Sequence, residues 1–220
     1  MNLDNIINND KTDKNTVHSY LELYQHLFNN KRLTAKNILE IGIDRGGSIK
    51  LWSDFFINAT IYGLDIMNID NIWDDIKNIN NIKLYSSYDA YNPIIFNNVF
   101  LKSNIKFDVL LDDGPHTLES MILFIQLYSQ IMTDDGILII EDVQSINWIN
   151  ELINAVPENL KSYIKYYDLR KNKDRYDDIV FTIDKSNNIN SFINNKNNKN
   201  NIIISIFIMI LFLLLINLIT

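Results

Sequence analysis

Two short apolar runs in this chain each end in a cluster of acidic residues. Residues 108–116 read Asp-Val-Leu-Leu-Asp-Asp-Gly-Pro-His, and residues 136–142 read Gly-Ile-Leu-Ile-Ile-Glu-Asp. Runs of this length, bounded by Gly and Asp, are typical of fully buried strands in a parallel sheet. The helical spacing of apolar residues over 118–132 predicts a right-handed crossover that joins the two strands. We therefore expect the strands to lie side by side, with both acidic clusters at one edge of the sheet.

The acidic clusters contain four candidate site residues, namely Asp113, His116, Glu141 and Asp142. Open α/β sheets bind ligands at the carboxyl ends of their strands. Carboxylates that meet there beside an imidazole suggest a divalent metal ion next to a general base. Each cluster also has a structural interpretation, because Asp is common in turns and carboxylates cap helix N-termini. Strand alternation points Asp112 away from its neighbour, which makes Asp112 the weaker candidate of that pair.

The composition limits the classes of function. The chain has 220 residues, a net charge of −7 and no cysteine. Such a charge argues against nucleic acid as a partner, because phosphate binding requires clustered Lys and Arg. The lack of cysteine excludes disulfides, thiolate catalysis and cysteine-type zinc sites. The length allows one good-sized domain and a terminal extension.

The remaining periodicity predicts a regular alternation of strands and helices. We expect strands near residues 37–43, 60–64, 83–85, 107–111, 137–140, 163–169 and 179–183, and helices over 17–28, 48–56, 93–101, 118–132 and 146–156. This alternation predicts an α/β domain with a doubly wound, Rossmann-like, seven-stranded sheet. No long helix separates the last two strands, so we expect them to form an antiparallel hairpin at one edge.

The two ends of the chain differ in composition from the domain at residues 12–184. Residues 1–11 are polar and are predicted to be disordered, and residues 185–201 form an Asn- and Lys-rich linker. Residues 202–219 are almost entirely apolar, and about 18 residues at roughly 1.5 Å each just span a bilayer. We expect a C-terminal transmembrane helix and a tail-anchored protein. Lys196 and Lys199 favour a cytosolic domain by the positive-inside rule.

A glycine-rich turn follows the first predicted strand. Residues 37–48 read Asn-Ile-Leu-Glu-Ile-Gly-Ile-Asp-Arg-Gly-Gly-Ser, so that the candidate cofactor residues are Glu40, Gly42, Gly46, Gly47 and Ser48. The glycine spacing does not fit a nicotinamide site, and carboxylates would repel a pyrophosphate. The carboxylates in this turn suit a cationic ligand such as S-adenosylmethionine. Asp65, at the end of the second strand, is positioned to accept hydrogen bonds from ribose hydroxyls.

With these motifs the chain resembles the class I methyltransferases, specifically the metal-dependent sugar O-methyltransferases of the macrocin and mycinamicin type. The similarity covers residues 12–183 and rests on the order and spacing of several short motifs. These are Thr12-Asp13-Lys14 with His18, Tyr20 and Tyr24, Leu39-Glu40-Ile41-Gly42 with Gly46-Gly47-Ser48, Trp52 with Phe55-Phe56, Ile61-Tyr62-Gly63-Leu64-Asp65, and the two acidic clusters. After the third strand the family often has Gly-Asp, where this chain has Ser86-Ser87-Tyr88-Asp89. Asp89 is the candidate substitute in cofactor binding.

The resemblance implies Mg²⁺ held by Asp113, Glu141 and Asp142, with His116 as the general base. On the residues alone, His18 and Tyr20 are interpreted as a partly exposed helix face, whereas the resemblance suggests that they cover the pocket. The expected function is methyl transfer from S-adenosylmethionine to a hydroxyl of a sugar-containing acceptor, and the chain is also compatible with a homo-oligomer. Three alternatives remain: a catechol-like diol as acceptor, a non-catalytic binding module with the same fold, and a nicotinamide-dependent oxidoreductase.

Overall fold

The computed structural model describes residues 1–186. The predicted transmembrane segment at 202–219 and nearly all of the predicted linker at 185–201 lie outside the described residues. Within residues 1–186, no helix has the length and apolar character needed to cross a membrane.

The described chain folds into seven strands and seven α-helices. The strands are β1 (Asn37–Ile41), β2 (Thr60–Asp65), β3 (Ile82–Ser86), β4 (Phe107–Asp112), β5 (Met132–Ile140), β6 (Ile164–Asp168) and β7 (Ile179–Asp184). The helices are α1 (Leu21–Phe28), α2 (Gly47–Phe55), α3 (Asp74–Lys77), α4 (Pro93–Val99), α5 (Leu118–Tyr128), α6 (Ile149–Ala155) and α7 (Arg170–Lys173). Short 3₁₀ helices cover Leu3–Asn5, Ile69–Asn71, Leu101–Ser103, Ser129–Ile131, Ile146–Trp148 and Glu158–Tyr163.

The strands form one mixed sheet in the order β3-β2-β1-β4-β5-β7-β6. The five strands β1 to β5 pair in parallel, whereas β7 pairs antiparallel with both β5 and β6. The predicted adjacency of β4 and β5 and the antiparallel edge hairpin are confirmed. Since β1, β4 and β5 are neighbours, the residues that follow them meet at the carboxyl edge of the sheet.

Alternation along the strands divides the core into two layers, one on each face of the sheet. On one face, Ile38, Val109 and Ile139 pack with buried residues of α1 and α2. On the other face, Leu39 and Leu110 pack with buried residues of α4, α5 and α6. Apolar residues on both faces explain why these strands are continuously hydrophobic, as buried parallel strands are. The doubly wound arrangement predicted from the sequence is therefore confirmed.

Helix α5 begins where the sequence supplies a capping box. The Thr117 hydroxyl accepts a hydrogen bond from the Ser120 backbone N at 3.1 Å, and the Ser120 hydroxyl accepts one from the Thr117 backbone N at 3.2 Å. Two backbone donors that the first turn would leave unpaired are thereby satisfied. The cap fixes the end of the loop that carries the first acidic cluster, because that loop runs directly from β4 to Thr117.

The N-terminal region differs from the sequence-based expectation in two respects. The composition of residues 1–11 predicts disorder, but Leu3 lies in a 3₁₀ helix and is buried, and its backbone N donates to Gln25 Oε1 at 2.7 Å. Helix α1 begins at Leu21 and not near residue 17. Residues 11–20 instead follow a path of turns, with Lys14 buried and the Lys11 carbonyl packed against Gly47. Tertiary contacts therefore order a segment whose local composition is polar.

Candidate active site

The loops at the carboxyl edge of the sheet contain most of the unusual backbone conformations. Six non-glycine residues among the described ones have positive φ, and four of them lie in the loops that follow β1, β3, β4 and β5. These four are Asp44 at 45°, Ser87 at 63°, His116 at 54° and Asp142 at 51°. Non-glycine residues rarely adopt this region, and such outliers concentrate at functional sites. The backbone therefore points to the same edge as the acidic motifs.

The turn between β1 and α2 packs directly against the loop that follows β4. Gly42 has φ of 77°, and a Cβ at this position would lie 1.9 Å from the carbonyl O of Asp113. Only glycine allows the two loops to approach this closely. Asp65 shapes the same turn, because its Oδ2 accepts hydrogen bonds from the backbone N of Ile43 at 2.8 Å and of Asp44 at 3.2 Å.

A cavity of about 960 Å³ opens beside this turn, large enough for a nucleoside-sized ligand. Of the predicted site residues, it is lined by Gly42, Gly47, Ser48, Asp65, Asp89, Asp113 and His116. The N-terminal turns contribute residues such as Lys11 and Thr12, and Trp73 and Tyr91 add aromatic surface. The structure thus brings the glycine-rich turn and the first acidic cluster to one cavity.

Two predicted cofactor residues, Glu40 and Gly46, do not line the cavity. Glu40 is fully buried, and its Oε2 accepts hydrogen bonds from the Ser48 hydroxyl at 2.8 Å and from Trp52 Nε1 at 3.0 Å. Burial raises the pKa of Glu40 to about 7. Gly46 has φ of 91° and packs against Ile76, where a Cβ would lie 2.0 Å from Cδ1. Both residues therefore stabilise the turn and the start of α2.

The loop after β3 adopts its turn without the glycine that the family often has there. Ser87 takes the left-handed conformation that a glycine would adopt at lower steric cost. Asp89 lies two residues further on, lines the cavity and accepts a hydrogen bond from the Tyr91 backbone N at 2.9 Å. Asp89 thus lies at the cavity wall. A residue that takes the place of the Asp in the family's Gly-Asp pair has to lie there to contact the cofactor.

The ends of β4 and β5 bring together the candidate metal and base residues. Asp113, His116 and Asp142 each present a ligand atom within 4.8 Å of the others. His116 Nε2 lies 3.7 Å from both Asp113 Oδ1 and Asp142 Oδ2. Burial raises the pKa of Asp142, and the charge of Asp113 adds to this effect. Oxygen donors in this arrangement fit a hard divalent cation, which would relieve the repulsion between the two carboxylates.

Asp112 points into the opposite layer, as strand alternation predicts. Its carboxylate accepts a hydrogen bond from the Tyr91 hydroxyl. Burial raises the pKa of Asp112 to about 7. Asp112 therefore supports the loop between β3 and α4 and lies apart from the group formed by Asp113, His116 and Asp142.

Glu141 faces the protein interior rather than this group. Its Oε2 lies 2.5 Å from Lys14 Nζ, and its Oε1 accepts a hydrogen bond from the Tyr24 hydroxyl. Burial raises the pKa of Glu141 well above its ordinary value, the Lys14 ammonium opposes this rise, and the neighbouring carboxylates add to it. The prediction that Glu141 ligates a metal stays a prediction, since both of its oxygens are engaged by protein donors.

The interpretation of His18 and Tyr20 as a partly exposed helix face is wrong. Both residues precede α1 and are buried, with exposed fractions of 5% and 1%. The Tyr20 hydroxyl donates to Asp142, and His18 Nδ1 lies 3.2 Å from Asp142 and 2.8 Å from Asp178. They are buried because the N-terminal turns cross the carboxyl edge, which helical periodicity does not reveal.

Sequence reasoning assigned no role to two residues that organise the site, Lys14 and Asp178. Asp178 precedes β7, and its Oδ2 accepts hydrogen bonds from the backbone N and hydroxyl of Ser19 at 3.2 and 2.8 Å. Lys14 belongs to the Thr12-Asp13-Lys14 motif, which was the available signal for it. The partners of both residues are distant in sequence, so the pairing itself could not be read from the chain.

The sequence of this chain is similar to those of several proteins named as O-methyltransferases. The chain matches no family model. It is 26% identical over 140 residues to a mycinamicin VI 2''-O-methyltransferase of Micromonospora griseorubida, covering 60% of this chain and 33% of the relative. It is also 26% identical over 141 residues to a demethylmacrocin O-methyltransferase of Streptomyces fradiae, covering 60% of this chain and 34% of that protein. The chain thus spans about a third of the length of these relatives.

A solved structure shares the fold. The MycE methyltransferase from the mycinamycin biosynthetic pathway, in complex with Mg, SAH and mycinamycin VI, superimposes with a TM-score of 0.61 at 19% identity. The match covers 79% of this chain and 50% of MycE. The resemblance drawn from the motifs is confirmed by these relatives. The chain has the fold of the class I S-adenosylmethionine-dependent methyltransferases, and its sequence is similar to that of the macrocin- and mycinamicin-type sugar O-methyltransferases.

Proposed function

We propose that this chain is an S-adenosylmethionine-dependent O-methyltransferase that uses Mg²⁺ and acts on a hydroxyl of a glycan or a glycosylated small molecule. The observation that carries the proposal is the meeting of Asp113, His116 and Asp142 beside the cavity that the glycine-rich turn forms. The relatives named for sugar O-methylation support the same class of reaction.

The cavity supplies the cofactor site in this proposal. S-adenosylmethionine carries its reactive methyl group on a cationic sulfur, which an acidic cavity attracts. Asp44, Asp65 and Asp89 line the cavity, and the close contact of Gly42 with the Asp113 backbone holds the glycine-rich turn beside the first acidic cluster. The Asp65 oxygens already accept hydrogen bonds from backbone N atoms, so a ribose would share this carboxylate with the turn.

Asp113 and Asp142 would hold the metal ion through carboxylate oxygens, which are the ligands that Mg²⁺ prefers. Glu141, the third ligand implied by the resemblance, is bound by Lys14 and Tyr24 and is not part of the group formed by Asp113, His116 and Asp142, so it would have to turn toward them to join. When bound, Mg²⁺ lowers the pKa of a coordinated hydroxyl and fixes its orientation.

His116 is positioned to take the proton from the acceptor hydroxyl. Its side chain is 30% exposed and lines the cavity, so an acceptor can reach Nε2. Asp113 and Asp142 each place a carboxylate oxygen 3.7 Å from Nε2, so the imidazole lies directly beside the two proposed metal ligands. General-base help of this kind accelerates a reaction about 10²–10⁴-fold.

The first test is titration of S-adenosylmethionine into the protein by calorimetry, with NADH as the parallel ligand. We expect binding of S-adenosylmethionine alone. Transfer of labelled methyl to a panel of glycosides and one catechol then follows, with Mg²⁺ and with a chelator. Binding of NADH would support an oxidoreductase, and cofactor binding without any transfer would support a non-catalytic module.

We also propose that residues 202–219 anchor the protein in a membrane, with the domain on the cytosolic side. Support comes from composition alone, because about 18 apolar residues suffice to span a bilayer. The full chain should float with phosphatidylcholine vesicles in a density gradient, and a chain ending at residue 186 should remain at the bottom. Equal flotation of the two chains contradicts the anchor. Self-association into a homo-oligomer stays a prediction.

A further inference from the structure

Lys14 is a buried cation that joins the ends of three neighbouring strands. It is 1% exposed, and its Nζ lies 2.8 Å from Asp113 Oδ2, 2.5 Å from Glu141 Oε2 and 3.4 Å from Glu40 Oε1. Glu40 is in β1, Asp113 follows β4, and Glu141 follows β5, which are consecutive strands in the sheet. One ammonium group thus links the glycine-rich turn with both acidic clusters.

Lys14 contacts only one of the two carboxylate oxygens of Asp113. Oδ2 pairs with the ammonium group, whereas Oδ1 is directed to His116 and lies 3.7 Å from its Nε2. The side chain of Asp113 is 24% exposed and that of Lys14 only 2%. Lys14 therefore binds Oδ2 on the buried side of the carboxylate, and Oδ1 stays accessible from the cavity.

The same contact explains why Glu141 and Asp142, adjacent in sequence, face different ways. Lys14 and the Tyr24 hydroxyl bind the two oxygens of Glu141 inside the protein. Asp142 faces His116 and accepts a hydrogen bond from Tyr20. Without the ammonium, the partly exposed Asp113 would lose the partner of Oδ2, and the buried Glu141 would keep only the Tyr24 hydroxyl, so that neither carboxylate would be held by a cation.

We propose that Lys14 is a positioning residue that prepares Asp113 to bind the divalent cation before the cation arrives. The inference rests on the proposed function, in which Asp113 and Asp142 hold that ion. Lys14 would act only through the carboxylates that its ammonium group binds.

The test compares Lys14→Met with Lys31→Met in the full chain. Lys31 is a matched control, because it is 3% exposed and pairs with a single carboxylate, Asp135, at 2.6 Å. Binding of Mn²⁺, measured by the loss of its free-ion electron paramagnetic resonance signal, needs no turnover. We expect Mn²⁺ affinity to fall at least about tenfold in Lys14→Met and to stay within about twofold of wild type in Lys31→Met.

A chemical rescue separates positioning from a general loss of structure. The chain contains no cysteine, so Lys14→Cys introduces one unique thiol. Alkylation of the unfolded variant with 2-bromoethylamine restores an ammonium on a side chain of lysine-like length, and 1-bromopropane gives a neutral group of equal length. After refolding, the ammonium form should recover Mn²⁺ affinity to within about threefold of wild type, and the propyl form should not.

The outcomes distinguish this inference from the proposed function. Failure of the wild-type protein to bind Mn²⁺ overturns both. Wild-type binding with equal affinity in Lys14→Met, or equal recovery in the two alkylated forms, overturns only the role of Lys14. Tighter Mn²⁺ binding in Lys14→Met would show that the ammonium competes with the ion, which also contradicts positioning.

Discussion

Near the amino ends of the strands Lys31 is buried beside one carboxylate, whereas at the carboxyl ends Lys14 is buried among three. The partner of Lys31, Asp135, is 66% exposed, so its charge is largely solvated. Glu40 and Glu141, by contrast, are almost completely buried. At the amino edge, the buried lysine forms one ion pair with a solvated carboxylate. At the carboxyl edge, several carboxylates are buried together, and their desolvation lowers the stability of the fold. Sites that keep such a cost are candidates for function.

The backbone shows the same difference between the edges. At the amino edge, the Asp108 carboxylate accepts hydrogen bonds from the backbone N of Lys36 at 2.7 Å and of Asn37 at 3.0 Å, and none of these three residues has positive φ. At the carboxyl edge, His116 and Asp142 both adopt positive φ. Local strain persists only where surrounding contacts impose it. At the carboxyl edge the contacts fix the orientation of side chains at a cost in backbone strain, whereas at the amino edge they stabilise the fold.

The largest effect should follow replacement of His116 at the carboxyl edge. His116→Asn keeps a residue that tolerates left-handed φ and removes the base. We expect turnover to fall about 10²–10⁴-fold, because the acceptor hydroxyl then loses its proton without help. Transfer of labelled methyl under saturating cofactor measures this loss. Turnover within tenfold of wild type would show that a group other than His116 takes the proton from the acceptor.

The next effect concerns the two adjacent acids after β5. Asp142→Asn should weaken Mn²⁺ binding at least about tenfold, whereas Glu141→Gln should change it less than about threefold. The reason is that Asp142 faces His116 and Glu141 faces Lys14. Equal losses in the two variants would show that Glu141 turns toward the ion when it binds.

A pH experiment tests the cost of buried charge at the carboxyl edge. Burial raises the pKa of Asp112 from 3.8 to about 7. Folded Asp112 therefore keeps its proton at pH values where the unfolded chain has released it, so stability falls as pH rises from about 4 to 7. Asp112→Asn removes this dependence and keeps an acceptor for Tyr91.

Urea unfolding at pH 5 and pH 8 measures the effect. Relative to wild type, Asp112→Asn should be more stable at pH 8 than at pH 5 by up to about 3 kcal/mol. Asp108→Asn, an acid at the amino edge, serves as the control for general charge effects. A pH-independent difference between Asp112→Asn and wild type would mean that Asp112 ionises normally in the folded protein.

The smallest functional effect should follow a change at the amino edge. Asp108→Ala leaves the backbone N atoms of Lys36 and Asn37 without their acceptor, which should cost about 1–3 kcal/mol of unfolding free energy. Affinity for S-adenosylhomocysteine and for Mn²⁺ should remain unchanged. A loss of either affinity comparable to that of Asp142→Asn would remove the functional distinction between the two edges.

Much of the fold could be predicted because its signals are local. The apolar run before Asp112 gives a strand buried on both faces, and the spacing over α5 gives a crossover helix. The order of the strands follows from right-handed connections only in part. The start of α1 could not be located, because the residues before Leu21 have helical spacing but fold as turns over the sheet.

Less of the candidate site could be predicted, because orientation depends on distant partners. The acidic motifs located Asp113, His116 and Asp142 at one edge, where the structure also has them. They did not reveal that Glu40 would bind Ser48 and Trp52, or that Glu141 would face Lys14. A carboxylate in a motif has the same sequence signature whether it faces a cavity or a buried lysine.

The alternation of buried strands and helices, the glycine turn and the edge at which the acids collect all follow from the order of residues along the chain. Hydrophobic period and strand polarity are properties of consecutive residues, so they can be predicted from the sequence. Which acids face the cavity depends instead on contacts between distant segments. Lys14 lies 99 residues from Asp113 and 127 from Glu141, and this pairing exists only after β1, β4 and β5 are side by side.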